Sequence, residues 1–95
     1  MLIENEFLNN IENIYGKENR ELVEKAFNFA SEKHKGQLRD NGEEYINHPY
    51  RVAKILVETK ADVPSVVSGL LHDVLEDTDC TEQELKSNFG EVVSN

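Results

Sequence analysis

The chain has 95 residues, 38% hydrophobic and 31% charged, which leaves room for one small core and no second domain. Nineteen acidic side chains against ten basic ones give a net charge of −9, so no nucleic-acid partner is expected, because that work needs clustered Lys and Arg. Without a run of about 18 apolar residues no membrane span is expected, and the single Cys80 excludes an internal disulfide or a Cys-rich zinc site. The acidic start, MLIENEFLNN, lacks the basic region of a secretory signal, and a soluble cytoplasmic protein with no membrane partner is expected.

Helical spacing dominates the chain. Ile3, Phe7, Ile11 and Ile14 recur at helical steps and mark one face of a first helix, which Gly16 stops. Asn19 is expected to cap a second helix whose inner face carries Val23, Ala26, Phe27, Ala30 and His34, ended by Gly36. Residues 36–48 (GQLRDNGEEYINH) break the periodicity, and Asn41-Gly42 signals a turn in a compact loop. Pro49 suits the first turn of a third helix, which runs on through Val52, Ile55, Leu56 and Thr59. Asp62 and Pro64 start a fourth, with Val66, Val67, Leu70, Leu71, Val74 and Leu75 on its apolar side. Thr81 and Glu84 make a capping-box pair for a short fifth helix that stops near Phe89-Gly90. Glu91-Val92-Val93 reads as the first turn of a further helix. The expected fold class is therefore all-α, a helical bundle of about five helices, whose last residues are expected either to fray as a tail or to belong to a bundle incomplete at its C-terminus.

Chemistry gathers on the fourth helix. At about 100° per residue, Gly69, His72, Asp73 and Glu76 fall on the arc opposite the leucines and valines. The ordinary reading is a solvated polar face, and a His-Asp doublet alone is a weak motif. The doublet nevertheless sets an imidazole beside a carboxylate, able to hold one metal ion from a single turn. Glu76 and Asp77 stack four residues behind His72 and Asp73, and Gly69 would let a ligand or another backbone come close.

His48, held at a helix start by Pro49, is a further donor, with a capping or core role as the ordinary alternative. Mixed imidazole and carboxylate ligands suit manganese, iron or a similar divalent ion better than a structural zinc, which favours thiolates. Three protein ligands would leave positions open for a water made nucleophilic near neutral pH. Lys33, Lys35 and Arg39 form a short basic stretch with no acid between them. The two lysines fit a helix end, where cations favour the dipole; Arg39, in the loop before His48, has a planar fork suited to phosphate or to stacking on a base.

Four stretches carry a resemblance: AFNFASEKHKGQLR (26–39), NGEEYINHPYRVAKIL (41–56), GLLHDVLEDTD (69–79) and FGEVV (89–93). In order and spacing they resemble the hydrolase domain of the RelA/SpoT homologue family, a branch of the HD superfamily, over residues 22–93. That resemblance implies a manganese-dependent 3′-pyrophosphohydrolase of the guanine-nucleotide alarmones ppGpp and pppGpp, releasing pyrophosphate and GDP or GTP. It implies that His48, His72 and Asp73 are metal ligands and that Glu76 and Asp77 position or deprotonate the attacking water. Arg39 matches the arginine that contacts the nucleotide near its base, and Tyr45 and Asn47 flank the pocket. His34 matches the family's HxGQ stretch, where a structural or supporting role is implied rather than ligation.

Two departures follow from the same pattern. Glu44 stands where the family often has proline. The family's fourth metal ligand, an aspartate in a later helix within a stretch resembling LADRLHN, and a nearby ribose-contacting asparagine have no counterpart in these residues. Residues 1–95 are thus expected to be the N-terminal part of the hydrolase domain, with a weakened or absent manganese site and weak or no activity alone. Apolar surface around Leu71 and Val74 is expected to be left open, inviting a homodimer. The alternative is a non-catalytic metal- or nucleotide-binding module; the HDxxED carboxylates favour catalysis. Hydrolysis of another phosphate ester is a third reading, against which Arg39 and the YINHP segment favour the alarmones.

Overall fold

Gly16 alone joins the first two helices of the computed structural model, which describes residues 3–90. α1 spans Asn5–Tyr15 and α2 spans Lys17–Lys33. Gly16 lies between them at φ 95° and ψ 166°, a backbone region that is essentially glycine-only. Asn19 is not the cap of α2 but lies inside its first turn, and its Nδ2 donates to Tyr15 O at 2.7 Å. It closes the end of α1 instead, because the one-residue junction puts the last carbonyls of α1 within its reach.

α3 (Asn47–Glu58), α4 (Val63–Leu71), α5 (Val74–Asp77) and α6 (Glu82–Phe89) follow. Among the described residues there is no strand, only an isolated antiparallel bridge between Leu38 and Glu44. The all-α expectation holds, with six helices among the described residues. The expected fourth helix is two pieces: the backbone turns at His72 and Asp73, and Asp73 takes φ −89° and ψ −4°. That turn shifts the register of everything after it. Leu75, expected on the apolar side, is 40% exposed, while Val74 and Leu71 are buried. The expected apolar surface around Leu71 and Val74 is therefore not open, and both side chains belong to the core.

The caps expected at two helix starts are in place. Asp62 accepts from Ser65 N at 2.8 Å with Pro64 beside it, and Thr81 Oγ1 accepts from Glu84 N at 3.1 Å. The Glu84 carboxylate does not complete the box; it pairs with Lys33 Nζ at 2.9 Å and so docks α6 on α2. Phe29 and Phe89 meet edge to face beneath that pair, 5.3 Å apart. Gly90 ends α6 at φ 66°. Glu91-Val92-Val93 lies outside the described residues.

α2 packs against both α1 and α4, and α3 packs against α4 while Tyr50 reaches α1 and α2. Val23, Ala26, Phe27, Ala30 and His34, the expected inner face, are all buried. On α1 the buried residues are Phe7, Leu8 and Ile11, while Ile14 is 41% exposed. The face runs on to Tyr15 instead, whose hydroxyl donates to Ala61 O at 2.5 Å. On α3 the buried residues are Pro49, Tyr50, Ala53 and Val57, whereas Ile55 and, just past the helix, Thr59 are exposed. Tyr50 wins the inner position because Phe7 and Phe27 meet it edge to face, at 5.3 and 5.1 Å. Val52 and Leu56 are half-buried against α4, where Gly69 lets the helices close up. A Cβ at Gly69 would stand 3.0 Å from Leu56 Cδ1, so the approach that Gly69 permits is to a helix.

α3 ends in a Schellman motif: Ala61 N donates to Leu56 O at 2.9 Å and Lys60 N to Val57 O at 3.0 Å. Lys60 occupies the left-handed position at φ 57°, where a Cβ is unfavourable. Lys60→Gly is accordingly expected to stabilise the domain by about 0.5–1 kcal/mol, read as a rise in the urea midpoint at unchanged slope.

Candidate functional site

The loop between α2 and α3 is folded into a small hairpin, and that hairpin aims Tyr45. Arg39 N donates to Glu43 O at 2.8 Å, Gly42 N to Arg39 O at 2.9 Å, and Tyr45 N to Gln37 O at 3.0 Å. Asn41 Oδ1 accepts from Glu43 N at the tip, and Gly42 takes φ 86° there, as the Asn-Gly signal requires. An Arg51–Glu43 ion pair fastens the hairpin to α3. It holds the Glu43 carboxyl below its ordinary range, chiefly through the hydrogen bond from Arg51.

Behind Tyr45 lies His34, buried at the end of α2. The two rings stack with centroids 4.7 Å apart and 30° between their planes. His34 Nδ1 lies 3.0 Å from Gln37 Oε1; a carbonyl oxygen can only accept, so Nδ1 is the donor. Among the described residues, His34 Nε2 is buried with no hydrogen-bond partner. A cleft of about 390 Å³ abuts this pair through His34 and Gln37 and is lined also by Ser31, Lys35 and Ile46.

In front of Tyr45 is the α4–α5 turn. The Tyr45 hydroxyl lies 2.9 Å from Asp73 Oδ2 and 2.9 Å from Asp77 Oδ2. Burial, then the hydrogen bonds and negative charge of the two aspartates, pushes the phenol far above its ordinary range, so it is a proton donor throughout the physiological span. Asp73 is 9% exposed because the turn swings it inward. His72, its neighbour, stays in solvent, and His72 Nδ1 stands 3.5 Å from Asp73 Oδ1. His48, half-buried in the first turn of α3, presents its ring edge-on to Tyr45 at 6.2 Å.

The structure thus gathers Asp73, Asp77 and His48 around the Tyr45 phenol, with His72 beside Asp73. Glu76 is exposed on α5 beside them. Arg39 and Asn47 stand apart: no hydrogen bond joins either to the cluster among the described residues. The Asn47 side chain bonds Glu43, and Arg39 is exposed on the hairpin. Of the basic stretch, Lys33 is taken up by Glu84 and Lys35 is exposed at the helix end. Gln37, the last residue of the HxGQ stretch, is the partner that orients His34.

In donor chemistry the site fits a divalent cation in part. Two ligands about 2.0–2.2 Å from one ion at tetrahedral or octahedral angles lie about 3.0–3.6 Å apart, and the His72–Asp73 separation falls in that span. Among the described residues, however, no three His, Cys, Asp or Glu side chains converge as a metal-holding group. The set is a pair with His48 nearby, an incomplete shell.

Comparison with known proteins bears on the same residues. The family described as "HD domain" matches residues 26–95, a span holding the hairpin, the histidines and both aspartates. A Myxococcus xanthus "GTP pyrophosphokinase" is 49% identical over 74 residues, 78% of this chain and 10% of that protein. An Aquifex aeolicus "Guanosine-3′,5′-bis(diphosphate) 3′-pyrophosphohydrolase" is also 49% identical, over 78% of this chain and 11% of its own length. The Escherichia coli K12 "Bifunctional (p)ppGpp synthase/hydrolase SpoT" is 44% identical over 76% of this chain and 10% of that protein. The chain spans about a tenth of the length of these relatives. No helix among the described residues is long and apolar enough to cross a membrane.

Proposed function

From the premise that this chain belongs to the HD-domain family, in its RelA/SpoT branch, we propose that it carries the ppGpp-hydrolysing face of such a domain. The reaction is removal of the 3′-diphosphate of ppGpp or pppGpp by water, giving pyrophosphate and GDP or GTP. The observation that supports this reading best is the α4–α5 turn, which sets His72 in solvent beside an inward Asp73 with Asp77 on the same phenol. A plain amphipathic helix would have left Asp73 on a solvated face beside His72.

His48, His72 and Asp73 are the residues that would hold a divalent ion, and manganese suits this imidazole and carboxylate set. When bound, such an ion supplies positive charge that lowers the pKa of water and stabilises phosphate oxygens. In this reading Asp77 and Glu76 accept the proton of the attacking water, which the hydrogen bond between Tyr45 and Asp77 supports for Asp77. Arg39, exposed on the hairpin, orients the nucleotide, and Tyr45 and Asn47 line the way to it. In a chain of net charge −9 a polyanionic substrate requires this local reversal of field, and part of the acidity is the ion's own ligand shell.

Incubating ppGpp with the chain and Mn²⁺ tests the proposal, with slow pyrophosphate release as the expected result, since only an incomplete donor shell is present among the described residues. A second reading, a non-catalytic nucleotide- or metal-binding module, is favoured by one observation: no three donors converge among the described residues. Tight binding of ppGpp with no pyrophosphate over many hours would establish that reading in place of the first.

A further inference from the structure

Asp73 is nearly buried, yet it sits in a turn and not within a regular helix. A carboxylate there has two chemically equal oxygens, and rotation about its last bond exchanges them. Something must decide which oxygen faces His72. Its hydrogen-bond and ion-pair partners among the described side chains are His72, on Oδ1, and Tyr45, on Oδ2.

We propose that Tyr45 is a positioning residue: its hydroxyl holds Asp73 Oδ2, and so keeps Oδ1 turned to His72 as a ready ligand pair. The inference rests on the cation-dependent reading above and deepens it. The phenol is itself held on two sides, by the stacked His34 ring and by the His48 edge. His34 is fixed in turn by Gln37, and Tyr45 N by Gln37 O. The chain Gln37–His34–Tyr45–Asp73 thus runs from the end of α2 to the turn, through groups with little room to move. Asp77 shares the same hydroxyl. One phenol has one proton, so it donates to one aspartate at a time and draws both toward a common point. Partners of this kind, which orient a ligand without touching the ion, typically change metal affinity 10–100-fold when removed.

Tyr45→Phe keeps the stacked ring and deletes only the hydroxyl. Two measurements on the full chain decide its role. In ion-free protein, carbon-detected NMR of the aspartate carboxyls is expected to show Asp73 and Asp77 displaced, with Asp40, Asp62 and Asp79 unmoved. Unmoved Asp73 and Asp77 resonances would overturn the proposal. In Mn²⁺ titrations the dissociation constant is expected to rise about 10–100-fold at an unchanged ion-free melting temperature. A lowered melting temperature with the constant held within twofold would mean a merely structural tyrosine. Should the parent chain take up no Mn²⁺, the cation reading fails, and the ion-free spectra still decide for or against Tyr45.

Discussion

In Asp73→Ala, Mn²⁺ affinity is expected to fall at least about a hundredfold, more than for any residue acting through a ligand, while the helical fold survives. Asp73 is the inward member of the His72–Asp73 pair, and alanine leaves only an exposed imidazole. The fold survives because the substitution strands no partner: Tyr45 still reaches Asp77 Oδ2 at 2.9 Å. Removing a nearly buried carboxylate also removes a desolvation cost, so the ion-free melting temperature is expected to hold or rise. Titration calorimetry with far-UV circular dichroism measures both quantities. An affinity within threefold of the parent would remove Asp73 from the ligand set.

Tyr50→Ala is expected to bring the domain close to unfolding, at a cost of about 3–5 kcal/mol. Stabilities of whole domains are about 5–15 kcal/mol, the small ones at the low end. Tyr50 is 1% exposed and joins three helices, through Phe7 on α1 and Phe27 on α2. Its hydroxyl, 3.0 Å from Glu4 N and 3.1 Å from Glu4 Oε1, ties down the start of α1. Tyr50→Phe keeps the ring packing and is expected to cost only about 1 kcal/mol. Urea melts of the two variants test the contrast. Equal losses would mean that the hydroxyl, and not the aromatic cluster, carries the stabilisation.

Much of this architecture was readable where local chemistry alone decides it. Asp62 and Thr81 cap helices because a side-chain oxygen two or three residues ahead of a free N–H is a purely local fit. The inner face of α2 was plain because one side of that helix holds nearly all its apolar residues. The buried side of α3 was not legible because the helix is apolar on two sides, with Val52, Ile55 and Leu56 competing against Tyr50, Ala53 and Val57. Contact with Phe7 and Phe27, distant in sequence, settles which side goes in. The break at His72–Asp73 has no glycine or proline to announce it. It coincides with a hydrogen bond to Tyr45, 28 residues upstream, and such long-range pairings leave no local trace.

The candidate site divides the same way. His72, Asp73, Glu76 and Asp77 could be picked out from adjacency and four-residue spacing. That Asp73 turns inward while His72 stays in solvent could not, because an unbroken helix places both on one arc. The small hairpin was announced by Asn41-Gly42, but its consequence, a tyrosine pressed between two histidines and two aspartates, depends on the packing of α2 against the loop.

The central claim is that His72 and Asp73, with His48 nearby, form the cation-holding face of this domain. Crystals of the chain grown with Mn²⁺ and measured at the manganese absorption edge test it most directly. An anomalous peak is expected within bonding distance of His72 and Asp73 Oδ1, with His48 as the next nearest donor. A manganese peak bound elsewhere on the chain, or none at saturating Mn²⁺, would contradict it.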